Sequence, residues 1–414
     1  VLKKLNITDY KALEEIRTNN KISRIKLSGS LELTPAAVTK IIKKLSGLKL
    51  IENNNILKST GGRPEKSLKI NHRYKMILGI NFGPEFIETA LSYLDGELLC
   101  MKRRNFYIRS QEKILRILFE EIDNVLEEYS KDDILGIGLA LHGTVNREKG
   151  ISIFSPHFGW KNLNIQELIE KKYSLPVIID NDVRAMAIAE HEFGRAQNTD
   201  NFLVIHISNG IGGAIFLNGK TYEGSDFSAG EIGHITAVEN SSRRCSCGKY
   251  GCLEAESSDE AIKNKVLTEL EKIQEKVDIS LKTEDIYKMA AEKKEPYFSV
   301  VRNSSYEIGK AVGNLLNILN IKLVIVAGRI VNTDSLFFVN LNKGIKKTDN
   351  YFERVKQRAN RTNYRYYFFD YLYFKGEVWG KKIGRMSGFI LLFWYWWWIV
   401  VLPGNFLLIN NVPQ

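Results

Sequence analysis

The stretch Cys245-Ser-Cys-Gly-Lys-Tyr-Gly-Cys-Leu-Glu254 holds three of the chain's four cysteines within eight residues. His234 lies eleven residues upstream of the first of them. Three thiolate sulfurs and an imidazole make a tetrahedral donor set for Zn2+. Cys245 and Cys247 are too close in sequence for an easy disulfide with each other. Gly248 and Gly251 let the loop fold back around an ion. With His234, Cys245, Cys247 and Cys252 filling all four positions, no place is left for an activated water, so the ion is expected to be structural. The alternative is three buried thiols without metal.

Groups of a different kind flank this set. Glu231 stands three residues before His234, and Glu254 two after Cys252. Asn181 and Asp182 fall where "PVIIDNDVRAMAIAEHEFG" reads as a strand, an acidic turn and then a helix. Carboxylates and an amide suit a polar ligand whose groups both donate and accept hydrogen bonds. Taken singly, each of these residues also reads as a helix cap or a surface charge.

The elements that must position these groups alternate between strand and helix. "MILGINFGPEFIETALSYLDGELL" reads as two or three strands with a turn at Asp95-Gly96, and "DILGIGLALHGTV" as an apolar strand ending in a glycine turn. "NFLVIHISNGIGGAIFLNGKTYEG" reads as a strand, a glycine-rich turn, a strand and a hairpin. "SVVRNSSYEIGKAVGNLLNILNIKLVIVAGRIV" reads as a long amphipathic helix feeding a buried strand. The repeated hairpin-plus-helix theme predicts an α/β body of two similar lobes, with a ligand in the cleft between them.

"SPHFGWKNL", "DNDVRAMAIAE", "GIGGAIFLNGKTYEG", "AGEIGH" and "CSCGKYGCLE" occur in this order at plausible spacings. In these motifs the chain resembles the ROK family of repressors and sugar kinases, whose fold is the actin/hexokinase-like ATPase fold. The resemblance runs from the N-terminal helices to about residue 345, and the element CxCGxxGCxE after GEIGH is its most specific part. It implies His234, Cys245, Cys247 and Cys252 as zinc ligands. It also implies a monosaccharide held by Asn181, Asp182, Glu231, His234 and Glu254, with the second ring nitrogen of His234 reaching the sugar. "LHGTV" matches the family's glycine turn beside the sugar, with His142 where proline is usual.

Asp182 stands at the position of the family's catalytic base. Phosphoryl transfer also needs a phosphate cradle and a place for Mg2+. The family's kinases open with Asp-x-Gly-x-Thr. Here "GINFGPEF" puts Asn81 for the aspartate and Pro84-Glu85 in place of the glycine-threonine end. The second phosphate loop reads Ser208-Asn209-Gly210, and the adenosine-side Gly-Gly reads Ala327-Gly328-Arg329. Sugar binding without catalysis is expected, so the chain is not expected to be an enzyme. An ATP-dependent ROK sugar kinase is the alternative.

The first 75 residues carry 17 Lys and Arg against 6 Asp and Glu, a net +11, whereas residues 76–350 sum to −6. A basic head on an acidic body predicts a polyanion partner for the head. Three short helices are expected, over "ITDYKALEEIRTN", "SRIKLSGSLEL" and "LTPAAVTKIIKKLSGLKLI". The first has Ile7, Tyr10, Leu13 and Ile16 as its apolar stripe. Ser23 is the candidate cap of the second and Thr34 of the third, which opens on Pro35 and ends at Gly47. Two apolar runs around "GGRP" then read as a β-hairpin wing. This pattern predicts a winged helix-turn-helix for double-stranded operator DNA. Helical geometry puts Thr34, Ala37, Thr39 and Lys40 near base edges and Lys43, Lys44 and Arg24 at phosphates, with Arg63 at a narrow minor groove. Joined through "GGRP", the head resembles the family's repressor branch, which includes xylose and N-acetylglucosamine repressors. Xylose is the first expectation for the effector.

The expected organisation is a winged helix-turn-helix over 1–72, a two-lobed sugar-binding domain over 73–345 with its zinc loop at 234–254, and an atypical aromatic tail over 346–414. Reading a palindrome needs two heads, so a homo-oligomer, dimer or tetramer, is expected, with sugar-driven lobe closure moving the heads. The opening "VLKKLNITDYKALEE" lacks the apolar segment of a secretory signal, and the expected location is the cytoplasm. In the tail, the uncharged run Gly388–Leu402 is fifteen residues long, against roughly 20 for a bilayer span, so membrane attachment is not expected. The Trp396-Trp397-Trp398 run is three TGG codons that read mainly Gly or Val one base out of frame, and a frameshifted tail is the preferred expectation.

Overall fold

The structure is a computed structural model that describes residues 5–19, 22–56, 66–94, 97–107, 110–197, 199–273, 281–333 and 335–348. Those up to Asp180 belong to one compact unit and those from Asn181 to another.

The first unit opens with α1 (Ile7–Asn19), β1 (Ile22–Ser23), α2 (Arg24–Ser30), α3 (Pro35–Gly47), β2 (Ile51–Ile56) and β3 (Lys66–Ile70). Side-chain caps set the helix starts. Asn6 and Asp9 each accept the other's backbone N–H, both at 2.9 Å. Ser23 accepts from the Lys26 N–H, and Thr34 from that of Ala37 ahead of Pro35. Leu13, Ile16, Leu27, Val38, Ile42 and Leu45 meet Leu68 and Ile70 in one apolar core. The strands form an antiparallel sheet in the order β1-β3-β2, with Ile51 opposite Ile70 and Asn53 opposite Leu68. Residues 57–65, including Arg63, lie outside the described residues. The stripe foreseen on α1 divides. Ile7 is exposed, Ala12 joins the core, and Tyr10 packs with Ile77, Leu94 and Leu135 of the body that follows.

That body is built on β4 (Met76–Gly83), β5 (Phe86–Tyr93), β6 (Leu98–Asn105), α4 (Gln111–Glu128), β7 (Ile134–Leu141), β8 (Thr144–Asn146), β9 (Ile151–Ser155), β10 (Trp160–Leu163), α5 (Ile165–Tyr173) and β11 (Val177–Asn181). Its five-stranded sheet runs β11-β7-β4-β5-β6. β4 and β5 form an antiparallel hairpin, and α4 carries the chain across so that β7 returns parallel to β4. Strands β8 to β10 make a separate three-stranded sheet. The rings of Phe82, Phe158 and Trp160 fill the core beneath it, 4.7 to 6.0 Å apart.

The second unit holds α6 (Asp182–Glu192), β12 (Phe202–Ile207), β13 (Ile211–Leu217), β14 (Lys220–Tyr222), α7 (Leu253–Ser257), α8 (Asp259–Lys272), α9 (Thr283–Ala291), α10 (Tyr297–Leu319), β15 (Leu323–Gly328) and α11 (Ser335–Thr348). Its sheet runs β14-β13-β12-β15, again an antiparallel hairpin whose first strand takes a parallel neighbour. The repeat expected from the sequence is therefore present in both units. Helices α10 and α11 touch backbone to backbone. A Cβ on Gly309 would stand 2.0 Å from the Leu341 carbonyl oxygen, so only glycine fits there. Among the described residues no helix is long and apolar enough to cross a membrane, and residues 349–414 lie outside them.

Candidate metal centre and effector site

The junction of β11 and α6 places the first two polar groups. Asn181 is the helix cap, and its Oδ1 accepts the N–H of Val183 and of Arg184 at 3.0 Å. Asp182 Oδ1 accepts from Val183 N at 2.9 Å and from Asn181 Nδ2 at 3.0 Å. These bonds fix both side chains before any ligand arrives. Burial pushes the Asp182 carboxyl above the usual carboxylate range, opposed by nearby His206 and by the Val183 N–H.

The GEIGH segment lies directly on β13. A Cβ on Gly230 would stand 2.2 Å from the Gly213 carbonyl oxygen, and one on Gly233 2.2 Å from that of Ile211. Gly230 also takes φ +95°. Between them Glu231 opens a short 3-10 turn that ends at His234. Glu231 Oε2 lies 3.9 Å from His234 Nε2, and the Glu231 carboxylate also senses Asp182, Glu254 and Arg184. The buried Arg184 donates from Nη1 to the Phe227 carbonyl at 3.1 Å.

The other imidazole nitrogen faces the cysteines, with His234 Nδ1 3.4 Å from Cys245 Sγ. Cys247 Sγ and Cys252 Sγ are 3.6 Å apart. One donor atom from each of His234, Cys245, Cys247 and Cys252 lies within 4.8 Å of all the others, so the four can hold a metal ion. All four cysteines are free thiols. Burial raises the Cys245 thiol and takes that of Cys252 to about 12, whereas the Lys249 N–H lowers that of Cys247. Two buried sulfurs that resist ionisation alone suit a divalent cation, which supplies the charge they lack.

Glu254 stands between this loop and the glycine turn. Its Oε2 accepts the Ile211 N–H at 3.2 Å and its Oε1 the Ser246 hydroxyl at 2.8 Å. A Cβ on Gly210 would stand 2.7 Å from Oε2. The second unit therefore gathers Asn181, Asp182, Glu231, His234 and Glu254 with the cysteines. His206 and Arg184 join them without having been foreseen. His206 lies in an apolar strand, and its only sequence signal is polarity two residues before the glycine turn.

Asn81, Ser208 and Arg329, expected from the sequence to depart from the family's nucleotide motifs, have partners within the protein. Asn81 Nδ2 approaches Glu88 Oε2 at 3.4 Å. The Ser208 carbonyl accepts from Asp259 N at 2.8 Å. Arg329 Nε lies 3.6 Å from Asp259 Oδ2 and its Nη1 3.2 Å from Glu284 Oε1. Asp259 Oδ1 takes the Tyr287 hydroxyl at 2.5 Å.

In the head, Arg24, Thr34, Thr39, Lys40 and Lys43 are exposed and Ala37 is half-buried. The hydroxyl of Thr39 donates to the Pro35 carbonyl at 2.8 Å. Lys40, Lys43 and Lys44 line a groove with Gly47 and Leu48. The ammonium of Lys44, however, is held by buried Asp9 of α1 at 2.5 Å.

A profile described as "ROK family" matches residues 77–361. The chain belongs to the ROK family. It is 29% identical to the xylose repressor of Caldicellulosiruptor bescii, over 81% of this chain and 86% of that one. It is also 29% identical to the DNA-binding transcriptional dual regulator NagC of Escherichia coli, over 76% of this chain and 78% of that one. Among solved structures, a ROK family transcriptional regulator, a homolog of the E. coli MLC protein, superposes with a TM-score of 0.74. It is 31% identical and covers 83% of this chain and 88% of its own. The body therefore has the α/β fold of ROK proteins, and the match to the solved regulator reaches beyond the share of the chain that the profile covers.

Proposed function

We propose that this ROK protein is a sugar-responsive transcriptional repressor of carbohydrate-utilisation genes. One observation carries the reading: a basic three-helix head with a hairpin is joined in the same chain to a ROK body whose relatives are named repressors. The head acts as a winged helix-turn-helix, with α3 entering the major groove of operator DNA. The side chains of Thr34, Ala37, Thr39 and Lys40 face base edges. Arg24 and Lys43 meet phosphates, and Arg63 reads the minor groove. Lys44 is largely committed to Asp9.

In the second unit, Asn181, Asp182, Glu231, His234 and Glu254 bind a monosaccharide, with xylose first because several relatives are xylose repressors. Zn2+ is the ion that three sulfurs and one imidazole favour. Held by His234, Cys245, Cys247 and Cys252, it supplies a rigid knot. His234 then presents Nε2 toward Glu231, and the loop keeps Glu254 against the glycine turn. Each protomer binds one head to half of a palindrome, so the working form is a homo-oligomer in the cytoplasm. Sugar and DNA are linked through a coupling free energy of about 1–3 kcal/mol, typical of allosteric proteins, and the sugar lowers operator affinity.

The sugar is bound and not phosphorylated. Asp182 has the position of a base, but the elements that would cradle ATP are otherwise engaged. Arg329 is pinned between Asp259 and Glu284, and the Ser208 N–H, a donor that a phosphate would need, is spent on the Gly210 carbonyl at 2.8 Å. The deciding experiment titrates complexes of the protein with the promoter beside its own gene against a panel of monosaccharides, and assays ATP turnover on the same sample. Salt-dependent, sequence-specific binding relieved by one sugar, with no turnover, is the expected result. Sugar-dependent ATP turnover without specific DNA binding would replace this reading with a sugar kinase.

A further inference from the structure

The metal loop is tied down at a second place, away from the four donors. Glu256 lies in α7, one helical turn beyond Cys252, and only 2% of its side chain is exposed. Its Oε1 accepts the Ser241 hydroxyl at 2.5 Å. Its Oε2 lies 2.7 Å from Lys265 Nζ on α8 and 3.5 Å from Arg243 Nη1. Lys265 also donates to the Glu256 carbonyl at 2.7 Å. Ser241 in turn accepts the Arg243 N–H at 3.0 Å, and the Arg243 carbonyl accepts the Gly251 N–H at 3.1 Å. One buried carboxylate thus holds the segment that enters Cys245 against the helix that follows Cys252. A buried carboxylate is retained at a cost unless it is fully paired, and this one is paired on both oxygens.

We propose that Glu256 is a positioning residue for the metal centre: with Lys265 it clamps Ser241–Arg243 to the α7–α8 platform and so keeps the Cys245–Cys252 loop closed around its ion. The inference rests on the zinc reading above. The physical argument is pre-organisation. Without the clamp, the segment before Cys245 must be ordered when the ion binds, and opening the loop no longer breaks a buried ion pair. The ion is released by the same opening, so its departure is faster. Changes in the shell around a metal site commonly alter affinity by about 10- to 100-fold. Glu256 acts through backbone and touches no donor, so the lower end, about tenfold, is expected.

The test uses the full chain loaded with Zn2+ and measures its transfer to a chromophoric chelator at constant pH, under conditions where the protein stays folded. Glu256→Ala is expected to release zinc about tenfold faster than the wild type. Lys265→Met keeps the carboxylate and its Ser241 and Arg243 contacts, and is expected to fall between the two. Glu256→Gln preserves shape and one hydrogen bond to Ser241, and should partly rescue retention. Thermal unfolding of the metal-free forms is recorded alongside. A general structural role would lower the melting temperatures of metal-free and loaded protein alike and leave the release rate of the folded protein unchanged, which overturns the proposal. Should Glu256→Ala fail to fold, equal release from Lys265→Met, Glu256→Gln and wild type overturns it just as well. A wild type that takes up no zinc refutes the metal reading itself, a different failure from zinc that binds and leaves at one common rate.

Discussion

Lys43 and Lys44 are adjacent, equally charged and on the same helix, yet the structure gives them different work. Lys43 is exposed, whereas Lys44 reaches Asp9, whose side chain is only 2% exposed. Replacing Lys43 by Ala should remove one phosphate contact per head. Each contact contributes about 0.9 to the slope of log K against log salt, so a dimer should lose about 1.8. Over a fourfold rise in salt, the wild type should then lose affinity about 12-fold more than the variant does. Melting should not change. Replacing Lys44 should instead strand a buried carboxylate. A fully buried pair broken in this way costs about 3–5 kcal/mol. Lys44 is 39% exposed, and solvent screening brings the expected loss to about 1–2 kcal/mol. Electrophoretic titrations at four salt concentrations, with thermal denaturation of the same samples, measure both quantities. A salt slope reduced equally by Lys44→Ala and Lys43→Ala, with no loss of stability in the former, would refute the assignment.

Asp182→Asn should abolish relief by sugar while leaving operator binding intact in the same titration. Burial raises the folded-state pKa of Asp182, so the native state binds more protons than the unfolded chain, and stability falls as pH rises from the unfolded pKa through the raised one. The Asn variant should therefore melt higher at neutral pH and lose that part of the pH dependence, as thermal scans between pH 4 and pH 8, roughly the window around carboxylate pKa values, will show. Chelation of the ion should lower the melting temperature of the second unit and weaken sugar binding, read by calorimetry with and without added Zn2+. Tyr10→Ala deletes a ring only 6% exposed and should destabilise the first unit by about 3 kcal/mol. Circular dichroism melts would check this, and a loss under 1 kcal/mol would show that the ring carries little of the junction.

What the sequence disclosed depended on distance along the chain. Thr34 and Pro35 announce the start of α3 because cap and helix are neighbours in sequence. The three cysteines announce a metal set because they share one loop, and His234 is close enough to count with them. Gly230 and Gly233 could be seen, but not the reason for them, which is the backbone of β13 lying against both. Lys44 read as a phosphate ligand because Asp9, 35 residues away, is brought to it only by the packing of α1 on α3. The apolar stripe of α1 was legible, but not that Tyr10 would serve a different core from Leu13. Nothing in the sequence singles out Glu256, or marks Lys265, nine residues on, as its partner. His206 was hidden by an otherwise apolar strand.

The two faces of α1 bear on how a repressor of this kind can be switched. Leu13 and Ile16 hold the helix inside the head, while Tyr10 packs against Ile77 on β4, Leu135 on β7 and Leu94. The head is therefore joined to the first sheet by side-chain packing as well as by the chain itself. The Leu94 N–H also bonds the His72 carbonyl at 3.1 Å, closing the segment between β3 and β4. Packed interfaces of this sort shift between discrete arrangements and do not bend gradually. A displacement of β4 or β7 must then either carry α1 with it or break the Tyr10 contacts. A sugar that prefers one arrangement by about 1.4 kcal/mol changes operator affinity by at most tenfold. That is smaller than the roughly 3 kcal/mol expected from deleting the Tyr10 ring, so loss of this packing would outweigh a coupling of that size.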